Sequence, residues 1–193
     1  MNYGKRLFGT LAALALSAPA FATNITINPD GAWNPFDVDD VIALTPGSTE
    51  WIDATTGLSG YHGDGSKISF SITLNSAAYL TVVDAGYAGD TFTVFDNTVA
   101  LGTTSPAVNS YPNTIGTNFN AALLNPNYSQ GVFLLGAGTH SITGELLASA
   151  VEGSLVPFNA TVGALKVAPV PLPAGLWLLG SACVGLFART RRA

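Results

Sequence analysis

Basic residues are nearly missing from the middle of this chain. Of seven lysines and arginines, Lys5, Arg6, Arg189, Arg191 and Arg192 sit at the two ends, so residues 23–168 hold only Lys67 and Lys166 against all twelve acids. That stretch has a formal charge of −10. Such a surface repels phosphate backbones, which excludes nucleic acid as a partner. Cysteine is missing there too, since the one cysteine, Cys183, lies in an apolar tail. No disulfide can staple the middle of the chain, which must be held by its core or by metal. Cys183 itself reads as a small apolar residue of a helix, with lipidation or redox chemistry as the alternative. Histidine stops at His62 and His140, too few for most metal-hydrolase sets. Neither His-Glu-x-x-His nor Gly-x-Ser-x-Gly occurs, and no glycine loop opens a helix to cradle phosphate. Glu145 and Glu152 could pose as a glycosidase pair, but nothing in the sequence brings them to the ~5–9 Å that chemistry needs. The expectation is a protein that is not an enzyme.

What is present begins at the ends. Lys5 and Arg6 precede an apolar run from Leu7 to Leu16, and Ala20-Phe21-Ala22 follows as a small-x-small step. This is the order of a cleaved export signal, and the run is shorter than the roughly 20 residues a stable span needs. Residues 1–22 are therefore expected to be a signal peptide, with the mature chain starting at Thr23. At the other end, nineteen uncharged residues from Val170 to Ala188 run into Arg189, Arg191 and Arg192. Arginines are held on the cytoplasmic side, which places the preceding domain outside. Only Leu176 to Ala188 lies clear of the prolines, a short helix for a hydrocarbon core of ~30 Å. A temporary membrane stop suits it better than a permanent anchor.

The tail Val170-Pro171-Leu172-Pro173-Ala174, an apolar helix and terminal arginines resemble the PEP-CTERM sorting signal, in its Val-Pro-Leu-Pro-Ala variant. The resemblance implies Gram-negative export, an exosortase-like processing enzyme as partner, cleavage near Val170 to Ala174, and delivery to the cell envelope or extracellular matrix. The membrane is then met only through the C-terminal helix, before processing. The logic parallels other C-terminal signals whose hydrophobic tail is removed. An ordinary single-pass tail anchor is the competing reading. Residues 169–193 are assigned to this signal.

Between the signals, residues 23–168 have the length of one domain with a real core. Short alternating runs punctuated by Gly, Thr, Ser and Asn mark an all-β fold, a single β-sandwich. Ile68, Phe70, Ile72 and Leu74 alternate with Ser69, Ser71 and Thr73. Strands are expected over Ala78 to Asp84 and Thr91 to Phe95, with Asp96-Asn97 turning the chain into a hairpin ending at Leu101. Further strands are expected over Gly131 to Leu135, Thr139 to Thr143, and once or twice within Leu155 to Val167. Residues 29–66 and 103–128 read as long loops, the second with a helical turn near Ala121 to Leu124. The run Gly89-Asp90-Thr91-Phe92-Thr93-Val94 and the later Gly138-Thr139-His140-Ser141-Ile142 resemble ectodomains sorted by PEP-CTERM signals. That likeness implies a jelly-roll-like sandwich and no particular activity.

Three sets of residues could carry chemistry. Asp84 ends one strand and Asp90 starts the next, so both could reach one end of the sandwich beside loop carbonyls, a donor set that suits Ca2+ as a cofactor. The competing reading is turn capping by the same side chains. Asp96 is expected a strand length away, outside that site. Trp51, Tyr61, His62 and Asp64 could bind an extracellular polysaccharide, with an aromatic ring stacked on a sugar face and a carboxylate accepting hydroxyl hydrogens; a plain glycine-rich turn fits Gly60 to Gly65 equally well. His140 should share a face with Ile142 and serve as a hydrogen-bonded structural residue. The expected role is structural or adhesive, with a calcium-assisted carbohydrate-binding module next and a polysaccharide hydrolase last.

Overall fold

The structure, a computed structural model, describes residues 22–53, 65–153 and 156–171. The expected signal peptide through Phe21, the sorting segment from Leu172 onward, and Tyr61, His62 and Asp64 lie outside the described residues. No helix among the described residues is long and apolar enough to cross a membrane.

The elements are β1 (Thr23–Thr26), β2 (Asn34–Asp39), β3 (Ile68–Leu74), β4 (Ala78–Asp84), β5 (Thr91–Asp96), β6 (Val99–Thr103), α1 (Phe119–Leu124), β7 (Gln130–Leu135), β8 (Gly138–Ala148), β9 (Val151–Glu152), β10 (Val156–Pro157) and β11 (Ala160–Pro169). They form a five-stranded sheet ordered β1-β3-β8-β5-β6, a four-stranded sheet ordered β2-β11-β4-β7, and the small β9-β10 pair. The two large sheets pack in a sandwich-like arrangement. All their pairings are antiparallel except β1 with β3.

The period-2 pattern explains why these segments bury what they bury. Along β3, Ile68, Phe70, Ile72 and Leu74 face the core and the residues between them do not. On β4, Leu80 and Val82 are inward; on β11, Leu165 and Val167; on β5, Phe92 and Val94. The hairpin expected after Asp96 is present. Asn97 and Thr98 take φ of 48° and 69°, the left-handed pair a two-residue turn needs to match the twist of its strands. The helical turn expected near Ala121 is α1, whose Asn118 side chain caps it by accepting from the Ala121 amide.

Residues 29–66 are not one loop. Phe36 and Val38 alternate with Asp37 and Asp39 in β2, an edge strand of the second sheet. Pro35 is tolerated because an edge strand has one side without a ladder to fill. Beyond it, Ile52 exchanges both backbone hydrogen bonds with Asp37. Trp51 and Ile52 also enter the core.

Phe36 and Trp51 stack between the two sheets, ring centroids 3.8 Å apart and planes 14° from parallel, with Phe92 edge-on to both. Two glycines on opposing sheets leave room for them. A Cβ on Gly144 of β8 would overlap the Trp51 indole, and one on Gly163 of β11 would overlap the Phe36 ring. The aromatic pair therefore lies where the sandwich would otherwise be too narrow.

Candidate functional site

Trp51 is fully buried. The expectation that it could stack on a sugar is corrected by its packing: one ring face is taken by Phe36 and the other edges are enclosed by the core.

Asp84 and Asp90 do come together. Asp84 has the inward parity of Leu80 and Val82, and its register partner on β11 is Gly163. Asp90 stands two residues before Phe92 and has the same inward parity. Thr161, two residues before Gly163, is the third buried inward polar residue at this end. A loop from Ala85 to Gly89 links the two acids, with Gly86 and Gly89 at φ of 70° and 138° to make the tight return.

The electrostatics of this cluster follow from burial. Asp84 is held well above the ordinary carboxylate range, first by burial and then by the neighbouring Asp90 charge; the amides of Asp90, Gly89 and Ala85 pull it partly back. Burial pushes Asp90 up to about 6, offset by the Ala150 amide and the Thr161 and Ser149 hydroxyls. The Ala150 amide donates to Asp90 Oδ1 at 2.9 Å. By contrast, neither oxygen of Asp84, nor Thr161 Oγ1, has a partner in good hydrogen-bonding geometry. The nearby amides and Asp90 are felt electrostatically without closing such a bond. A cavity of about 200 Å³, bordered by Asp90, Thr161, Gly86, Thr114 and Val162, opens onto this end. No three His, Cys, Asp or Glu side chains converge to hold a metal among the described residues, so any cation here would rely on two carboxylates plus hydroxyl or carbonyl oxygens.

Asp96 lies at the far end of β5, as its spacing implied. Its Oδ2 is 2.7 Å from His140 Nδ1, and its Oδ1 accepts from the Ser141 amide at 3.3 Å. His140 Nε2 meets the Gly136 carbonyl at 3.1 Å. His140 is buried on the face of Ile142, a structural histidine with both nitrogens engaged.

A second recess, missed as a binding site in the sequence, lies in the 103–128 stretch. It is a cleft of about 470 Å³ lined by Ser110, Tyr111, Asn113, Asn125 and Asn127, with Tyr128 at its base. Its wall is built on the 85–89 loop. Ser110 and Ile115 amides donate to the Ala88 and Gly86 carbonyls, both at 2.9 Å, and the Gly86 amide donates to the Gly116 carbonyl at 2.9 Å. The Thr114 and Tyr128 hydroxyls also donate to Gly86, at 2.8 and 3.0 Å. Asn109 completes the frame by exchanging two hydrogen bonds with the Val151 backbone. Tyr111 forms an aromatic cluster with Tyr87 and Phe158. Its phenol, donating to Glu152 at 3.3 Å, is pushed up mainly by that carboxylate's charge. The asparagine density was the one sequence signal for this cleft. Its convergence depends on backbone bonds to residues some 20 to 30 positions away.

No protein-family profile matches the chain, and no curated protein matches it. Among solved structures, it is similar to the pre-peptidase C-terminal domain of a collagenase from Bacillus anthracis, at 9% identity, covering 78% of this chain and 98% of that one, with a TM-score of 0.36.

Proposed function

We propose that this chain is an exported, non-catalytic β-sandwich that serves as a structural or adhesive component of a Gram-negative envelope or extracellular matrix. In this reading residues 1–22 direct export, residues 23–168 form a jelly-roll-like ectodomain, and an exosortase-like enzyme cuts within the 169–193 signal, near Val170 to Ala174. The order of charged, apolar and proline-containing segments at the two ends supports the address. The observation that carries the adhesive role is the asparagine-lined cleft. Amides and hydroxyls offer both donors and acceptors without charge, which matches the hydroxyl-rich surface of a neutral polymer.

The same cleft favours carbohydrate binding as the second reading, at a place other than the 51–64 stretch. Tyr111 supplies the aromatic ring and Asn113 an amide. The test is a panel of bacterial polysaccharides presented to the full chain, with Tyr111→Ala and Asn113→Ala beside wild type. Each substitution should weaken binding about tenfold, equivalent to ~1.4 kcal/mol. Binding that is unchanged in both would remove the cleft from the proposal. For the address, mass spectrometry of the protein recovered from a Gram-negative host that has an exosortase should find a chain ending near Val170 to Ala174. An intact C-terminus at Ala193 would instead identify a retained anchor.

A further inference from the structure

The basic side chains of the described residues are all engaged away from Asp84 and Asp90. The Lys67 ammonium is bonded to Glu50. The Lys166 ammonium lies 4.3 Å over the Trp33 ring, and His140 is held by Asp96. Meanwhile Asp84 is completely buried, both of its oxygens lack a partner of good geometry, and a second buried carboxylate sits beside it. A buried charge is tolerated only when it is paired. The groups facing Asp84 most closely are the amides of Ala85, Gly89 and Asp90, which are donors and suit an ionised acceptor. Two buried carboxyls side by side cannot both stay ionised unless a cation joins them, and with no basic side chain nearby the only cation available to replace the proton comes from outside the polypeptide.

We propose that Asp84, Asp90 and Thr161 form a site for a hard divalent cation, calcium, that ties the ends of β4, β5 and β11 together beneath the 85–89 loop. The donor atoms are carboxylate and hydroxyl oxygens, the set that selects hard cations over zinc or copper. Calcium accepts irregular geometry and backbone carbonyls, whereas magnesium demands a near-octahedral shell and gives up water reluctantly. The cavity bordered by Asp90 and Thr161 provides the route in. The buried Thr161 hydroxyl, which lacks a partner of good geometry and lies near enough to Asp90 to act on it, stands at the same end, on β11 beside Asp84. The cation acts on more than stability. The carbonyls of Gly86 and Ala88 carry the bonds that shape the asparagine-lined cleft, so fixing both ends of their loop fixes that wall. The cation site stands whether or not the cleft takes a glycan.

The test uses the full chain, stripped with chelator and then returned to millimolar calcium or magnesium, with no polysaccharide present. Calcium should raise the Tm of wild type by about 5 °C, the shift expected of a ligand well above its Kd. Asp96→Asn, which alters the half-buried carboxylate at the far end of β5, should keep the same shift. Asp84→Asn and Asp90→Asn should lose it, and calorimetric titration of either folded variant should show calcium binding weakened roughly a hundredfold. Thr161→Val, which keeps the shape and removes the hydroxyl, should reduce the shift in part. If Asp84→Asn does not fold, Asp90→Asn and Thr161→Val carry the test. An absent shift in wild type, an equal shift in wild type and the Asp84 and Asp90 variants, or an equal response to magnesium would each overturn the proposal.

Discussion

An acidic side chain stands at each end of β5, half-buried Asp96 at one and buried Asp90 at the other, and the two are settled in opposite ways. At its C-terminal end Asp96 meets His140, and the histidine's other nitrogen meets a carbonyl. At its N-terminal end, roughly 20 Å away along an extended strand, Asp90 accepts from the Ala150 amide but also meets another carboxylate, and Asp84 has only nearby backbone amides and no side-chain or charged partner of good geometry. The residue type and the strand are the same. What differs is the neighbour: β8, beside β5 in the same sheet, supplies His140 to Asp96, whereas β4 of the facing sheet brings a second carboxylate to Asp90. The Asp96 end is complete within the chain and contributes to stability as it stands. The Asp84 end sets two carboxyls beside each other in a buried site, where ionising both costs stability until a cation enters. A buried carboxylate therefore marks a binding site only when its own protein fails to answer it.

Several substitutions would sharpen or break this contrast. The largest effect should come from between the two ends. Trp51→Ala removes a buried indole from its stack on Phe36 and should cost about 3–5 kcal/mol in chemical denaturation. A variant of unchanged stability would mean that Trp51 is not a core residue. Next is a pH effect at the unanswered end. Because the folded-state value for Asp90 is about 6 against 3.8 for the free residue, its contribution is fully present below pH ~4 and is lost as pH rises through 6, a change on the order of 3 kcal/mol. Asp84 is raised too and acts in the same direction. Denaturation in chelator at pH 4 and pH 8 should show this slope in wild type relative to Asp90→Asn; parallel profiles would contradict it.

Smaller, and opposite in sign at the two ends, are the neutral isosteres measured at pH 8 in chelator. Asp96→Asn should lose about 2 kcal/mol, because His140 loses a charged acceptor. Asp84→Asn should gain stability, because burying a carboxyl whose value is raised opposes folding at a pH where the unfolded chain ionises it, and the amide removes that cost. Equal losses at both would erase the distinction drawn between them. The smallest effect is at the hairpin beside Asp96. Thr98 holds φ of 69°, a poor conformation for a β-branched residue, and Asn-Gly is the favoured pair for such a turn. Thr98→Gly should raise stability by about 0.5 kcal/mol, readable as a small upward shift in Tm.

Much of the strand content is legible from alternation alone. Ile68 to Leu74 and Ala78 to Asp84 coincide with β3 and β4 because one face is buried and the other is not. The two-residue turn after Asp96 is legible because Asn tolerates positive φ. The strand β2 is less so, although Phe36 and Val38 alternate with acids, since Pro35 and the surrounding glycines and aspartates read as a loop. Trp51 gives no periodic signal at all. Its burial depends on Gly144 and Gly163, which lie about 93 and 112 positions later in the chain. The asparagine-rich cleft is half legible: composition shows the donors, but only the bonds to Gly86 and Ala88 bring them to one place.

The sequence by itself determined the β character of the chain, the faces of its long strands and the separation of Asp96 from Asp84, because each follows from a period of two residues and a rise of ~3.3 Å. Tertiary structure alone decided which polar residues found partners. Hydrogen bonds and charges are satisfied between strands and between sheets, by residues whose distance along the chain says nothing about their distance in space. Hence Asp96 finds His140, the Trp51–Phe36 stack finds its place between two glycines, and Asp84 is left facing Asp90.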